Sequence, residues 1–107
     1  MNIKQLMYGV SEDQFFGSNF DIELDDTHDN EFTISSNFDI ELVLGCSVVI
    51  TVKLFSLDQV SVKFKNEYGD HMNLVYADEV FDMDKFTDWL IRSLGDFIRQ
   101  SINRIFL

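Results

Sequence analysis

Residues 18–42 read SNFDIELDDTHDNEFTISSNFDIEL, with the heptapeptide SNFDIEL at 18–24 and again at 36–42. In each copy apolar and acidic side chains alternate: Phe20, Ile22 and Leu24 against Asp21 and Glu23, then Phe38, Ile40 and Leu42 against Asp39 and Glu41. A period of two sends successive side chains to opposite faces of a strand. Both copies therefore read as half-buried β-strands with carboxylates on the wet face. DDTHDN (25–30) reads as the polar turn between them. The alternation resumes at Phe32 and Ile34 and continues through Phe38, Ile40 and Leu42, with Ser36 the only gap on the apolar face. That run is longer than the usual strand of about 5–6 residues, which predicts a bulge or bend near Ser35 and Ser36.

Outward from this stretch, LGCS (44–47) is a second turn and VVITVKLF (48–55) a strand rich in β-branched residues. SLDQ turns the chain again, VSVKFK (60–65) alternates, NEYGD (66–70) is a fourth turn, and 72–77 suits a fifth strand. Upstream, Ile3, Leu6, Met7 and Val10 fall at helical spacing within 2–16, although Gly9 and Gly17 weigh against a helix. From Asp82 onward Phe86, Leu90, Leu94, Phe97, Ile98, Ile102 and Ile105 recur every three or four residues. That spacing predicts an amphipathic helix of roughly 20 residues, with Asp82 or Asp84 as its N-cap. Strands followed by a terminal helix predict an α+β fold: one domain over 1–107, a four- or five-stranded antiparallel β-meander with a long C-terminal amphipathic helix packed on its apolar face.

Composition agrees with a packed core. Of 107 residues, 46% are apolar and 14% aromatic, eleven of them Phe, and there is no Pro. No apolar run approaches the ~20 residues needed to cross a bilayer, and MNIKQLMYGV lacks the apolar core of a signal peptide. Cys46 is the only cysteine, so no internal disulfide forms, and a reducing, cytoplasmic location is expected.

The formal net charge is −11 and unevenly distributed. Residues 1–44 carry ten acids against Lys4 alone, whereas 45–107 carry nine acids and seven bases. Register arithmetic then places the acids. With the first turn centred near His28, Ile22 faces Ile34, Leu24 faces Phe32, and Asp21, Glu23 and Asp25 face Ser35, Thr33 and Glu31. With the next turn centred on Gly45, Asp39 faces Thr51, Glu41 faces Val49 and Lys53 faces Asn37, with Lys63 and Lys65 one strand further on. The outer face would run from carboxylates at one edge to lysines further in. Asp21, Glu23, Asp25, Asp39 and Glu41 would form a spaced row, extended by the acidic turn Asp25, Asp26, Asp29 and Glu31.

Catalysis has little support. His28 and His71 are the only histidines, DDTHDNE lacks the spacing of a calcium loop, and zinc would want more Cys or His. Cys46 opens an apolar strand and reads as a buried structural thiol. The five glycines are scattered, so no phosphate loop is present, and no catalytic residue, metal or cofactor is expected. Arg92, Arg99 and Arg104 with Trp89 and Phe106 would suit a partner-binding or membrane-surface helix, but more simply a core helix whose arginines reach water.

A fixed row of anions repels nucleic acid and anionic membranes and attracts basic proteins. The expectation is a non-enzymatic inhibitor that occludes a basic nucleic-acid-binding partner with these eight acids, by imitating a phosphate backbone. Size and charge are analogous to nuclease-toxin immunity proteins and to phage anti-defence proteins of the anti-CRISPR kind. The alternative is an assembly module, with charge incidental, binding or homodimerising through the C-terminal helix or an unpaired sheet edge.

Overall fold

The computed structural model describes residues 1–25, 27, 29–56 and 59–106, and the side chains of all of these except Leu42 and residues 102–106. The chain runs α1 (Ile3–Glu12), α2 (Gln14–Asn19), β1 (Phe20–Leu24), β2 (Glu31–Ser36), α3 (Phe38–Leu44), β3 (Val48–Ser56), β4 (Gln59–Asn66), β5 (His71–Ala77) and α4 (Met83–Phe106). The strands form one antiparallel five-stranded sheet in the order β1-β2-β3-β4-β5, so the α+β meander with a long C-terminal helix is as the sequence predicts.

Each strand obeys the period of two. Phe20, Phe32, Ile34, Val48, Ile50, Val52, Leu54, Val60, Val62 and Phe64 are buried on the inner face. Phe86, Leu90, Leu94 and Phe97 of α4 belong to the same buried cluster, as do Ile3, Leu6 and Val10 of α1 and Phe16 of α2. The ring of Phe97 stacks on Phe64 at 5.7 Å, and Tyr76 of β5 meets Phe86 and Trp89 at 5.3 and 5.2 Å. Asp82 caps α4 by accepting from the N–H groups of Asp84 and Lys85 at 3.0 and 3.3 Å. Ile102 and Ile105 lie outside the described side chains.

The ambiguous N-terminal segment is helical. Asn2 and Gln5 form a reciprocal capping box on α1, and Asp13 accepts from the N–H groups of Phe15 and Phe16 to start α2. Gly17 lets the two helices meet: a Cβ there would stand 2.4 Å from the Ser11 carbonyl oxygen.

The two heptapeptides part company. The first forms the end of α2 and all of β1; the second ends β2 at Ser36 and from Phe38 is not a strand but α3. Leu42, Val43 and Leu44 already break the alternation, and both ends of a helix are encoded around them. The Asn37 side chain accepts from the N–H of Ile40 at 3.2 Å, and Asp39 and Glu41 occupy the first turn, where carboxylates complement the helix dipole. Gly45 closes the helix in the left-handed region at φ 75, its N–H donating to the Glu41 carbonyl at 2.8 Å. Ile40 and Leu44, one turn apart, pack against the core.

In the first copy Asn19 lies inside α2, its amide bonding the Phe15 carbonyl at 2.8 Å. The copies touch where they diverge: Asn37 N–H donates to the Asn19 carbonyl at 3.1 Å, and the Asn37 side-chain amide to the Ser18 carbonyl at 3.3 Å. In place of a bulge, the long run simply ends at Ser36, whose buried hydroxyl accepts from the Val48 N–H at 3.0 Å. Asn37→Ala should cost about 1 kcal/mol, the usual worth of an N-cap, and the equivalent Asn19→Ala clearly less. Urea unfolding of the two variants checks this, and equal losses would contradict the assignment of α3.

Candidate partner-binding surface

The antiparallel ladder fixes which outward side chains share a level. One row reads Asp21, Ser35, Val49, Lys65, His71, and the next Glu23, Thr33, Thr51, Lys63, Asn73. A third runs Glu31, Lys53, Ser61, Val75, with Asp25 joined to Glu31 by its N–H at 3.1 Å. The register expected for the first hairpin is therefore present pair for pair. That expected for the second is not: Thr33, not Asp39, opposes Thr51, and Ser35, not Glu41, opposes Val49. The physical reason is α3, which takes residues 38–44 out of the sheet.

The structure accordingly divides the eight acids. Asp21 and Glu23 are exposed on the outer face of edge strand β1. Asp25, half-buried, accepts from the N–H and hydroxyl of Thr27 at 2.9 and 2.6 Å, and Asp29 is exposed in the turn. Glu31 opens β2 and faces Lys53 at 3.7 Å. Asp26 and His28 lie outside the described residues. Asp39 is exposed and Glu41 half-buried on α3, beyond the Ser36 end of β2, which pairs with Phe20. The acids therefore follow β1 from end to end: the α3 pair at its start, two on the strand, the hairpin set at its finish. The single straight row built from both heptapeptides does not form.

Lysines lie on the same face. Lys53 is held between Glu31 and the Phe55 ring, 5.2 Å from its centroid. Lys63 and Lys65 stand on β4, three strand spacings from β1, about 14 Å across the sheet. That exceeds the screening length of about 8 Å at physiological salt. Among the described residues neither Asp21 nor Glu23 forms an ion pair, so the β1 edge keeps its negative field.

Two features escaped sequence reasoning. Because 38–44 is helical, Phe38 and Val43 point outward, 72% and 79% exposed, beside Asp39. A strand would have turned Phe38 inward; the Asn37–Gly45 pair of helix ends was the signal that could have shown otherwise. A cleft of about 470 Å³ between the N-terminal helices and α4 also gathers Glu12, Asp13 and Asp84. No local pattern announces that grouping, which arises only when α1 meets α4. Among the described residues no group of three or more His, Cys, Asp or Glu is placed to hold a metal ion. Cys46 is half-buried just before β3, and burial with the Glu67 carboxylate pushes its thiol above the usual range, which disfavours the thiolate. No helix among the described residues is long and apolar enough to cross a membrane.

No family model, curated protein or solved structure matches this chain.

Proposed function

We propose that this chain is a non-catalytic acidic binding protein that occludes a positively charged surface on another protein, a nuclease or other nucleic-acid-binding protein. Immunity proteins against nuclease toxins and phage anti-defence proteins of the anti-CRISPR kind supply the functional analogy. One observation carries the reading: Asp21 and Glu23 stand exposed on an edge strand without an ion-pair partner among the described residues, with further acids at both of its ends. Complementary charge of this kind accelerates encounter and selects against anionic partners. Because the strand already fixes the carboxylates, little ordering entropy is lost on binding. Exposed Phe38, next to Asp39, supplies the apolar contact that charge alone does not. The mode is occlusion by an acidic edge, rather than a straight copy of a phosphate backbone.

The test is affinity capture from the native host with the wild-type chain and with Asp21→Lys/Glu23→Lys as bait, at about 50 and 500 mM salt. The wild type should retain a basic protein at low salt, and that protein's nucleic-acid binding or cleavage should fall when the chain is added. The double variant should weaken capture at least about tenfold while leaving the circular dichroism spectrum unchanged. Equal capture by both baits, or a captured protein that is not basic, would overturn the proposal.

A further inference from the structure

The two edges of the sheet are chemically unlike. β1 is five residues long and guarded by Asp21 and Glu23, the usual protection of an edge against strand addition. β5 is seven residues, HMNLVYA, with no Asp, Glu, Lys, Arg or Pro and an unbroken register to β4. It ends the sheet, so its outward N–H and C=O groups are offered to another strand. Beside it a cleft of about 560 Å³ opens toward α4, lined by Met72, Leu74, Trp89, Ser93, Asp96 and Arg99.

We infer that this edge pairs with a second copy of the same chain, β5 against β5 in antiparallel fashion, so that one sheet runs through both copies. The inference concerns a different surface from the acidic edge and stands apart from the proposed partner. A two-fold axis centred on Leu74 sets His71 opposite Ala77 of the other copy and Asn73 opposite Val75, with no like charges facing.

The same axis brings the two α4 helices together. Contacts with Phe64 and Tyr76 place α4 over β4 and β5, about half a strand spacing inside the edge. Two such helices then lie about 10 Å apart, the distance of packed helices. They run antiparallel, and charge complementarity is built into their sequence. Asp88, Arg92, Asp96 and Arg99 are all exposed and alternate in sign at helical spacing: Asp96 and Arg99 line the cleft, and Asp88 and Arg92 stand on the adjoining outer flank, so the arginines reach across with their long side chains. Read backwards on the facing helix, the series sets Arg99 against Asp88 and Asp96 against Arg92. Every acid meets a base; a parallel pairing would set like against like. The midpoint of the series falls at Ser93–Leu94, and Ser93 lines the same cleft as Leu74. The helix two-fold and the strand two-fold therefore coincide in level. Within one copy Arg99 pairs with Asp96, and the second copy extends that pair into a network.

Sedimentation velocity on the full chain from about 1 to 200 µM is the test. A monomer–dimer equilibrium within that range is expected. Asn73→Lys with Val75→Lys, both on exposed outer-face positions, sets cations opposite one another across the axis and should leave only monomer. Asp88→Arg should weaken the dimer about tenfold, and adding Arg99→Asp, which restores opposite signs at both contacts, should recover it. Circular dichroism confirms folding, and if the strand variants fail to fold, the helix charge swap decides. A wild type that stays monomeric at 200 µM, a dimer indifferent to the strand variants, or a charge swap that does not rescue would each overturn the proposal.

Discussion

Phe64→Ala is expected to cost about 3–5 kcal/mol, a large share of the roughly 5–15 kcal/mol that holds a domain of this size folded. Phe64 is fully buried on β4, flanked in register by Ile50 and Met72 and stacked on Phe97 of α4 at 5.7 Å with 27° between the ring planes. Truncation removes the surface through which the helix holds the sheet and leaves a void that neighbours on a fixed ladder cannot close. Thermal unfolding followed by circular dichroism should show the midpoint falling by roughly 15–30 °C. Phe64→Leu, which keeps most of the apolar volume, should cost less. A double-mutant cycle with Phe97→Ala should return a coupling of about 0.5–1.5 kcal/mol for the aromatic pair. A loss under about 1 kcal/mol for Phe64→Ala would mean that α4 is not held through this contact.

The second large effect centres on Asn66, a buried polar residue at the end of β4. Its side-chain Oδ1 accepts from the N–H groups of Tyr68 and Asp70, both at 3.0 Å, and its side-chain Nδ2 donates to Asp70 Oδ2 at 3.2 Å and to Ser101 Oγ at 2.9 Å. Ser101 passes the chain on to the Phe97 carbonyl at 3.0 Å, so one side chain ties the β4–β5 turn to α4 at Ser101. Asn66→Ala leaves these donors and acceptors unmatched and should cost about 2 kcal/mol.

Asn66→Asp discriminates further. The new carboxylate would still accept the two turn N–H groups, but it would face the Asp70 carboxylate and lack the amide donors. The two N–H donors favour the ionised form, but burial, the Asp70 carboxylate and the lost amide donors oppose it more strongly, so its pKa in the folded protein is expected above the unfolded value of about 3.9. Stability lost at neutral pH should therefore be recovered below pH of about 4, where the introduced carboxyl is protonated and can donate. Chemical unfolding at several pH values, with wild type as reference, reads this directly. A pH-independent difference would show that Asn66 is not buried against Asp70.

Most of the architecture was legible because it rests on periodicity. The alternating and β-branched stretches became β1 to β4, 72–77 supplied the fifth strand, and the register of the β1–β2 hairpin followed from placing its turn near His28. The second heptapeptide was misread for an identifiable reason. Five alternating residues satisfy a strand, yet Ile40 and Leu44 also satisfy one buried helical face. The arbiters were outside the repeat, in Gly45 and in the Val43–Leu44 break, and inside it in Asn37, whose role depends on what precedes it. The candidate surface was legible to the same extent. Asp21, Glu23, Asp25 and Glu31 stand where alternation puts them, whereas outward Phe38 and the grouping of Glu12, Asp13 and Asp84 depend on helix geometry and on contacts between distant segments.

The duplicated heptapeptide also makes the molecule its own reference for amide exchange. The rate at which an unprotected N–H trades its proton for a deuteron is set by its own side chain and the one before it, and these match from Phe20 to Leu24 and from Phe38 to Leu42. Any ratio of exchange between corresponding amides then reports only the difference between a rung of the sheet and a turn of helix. A single labelling experiment on one sample thus compares local opening of the edge strand and of the short helix, with chemistry, temperature and pH cancelled residue by residue.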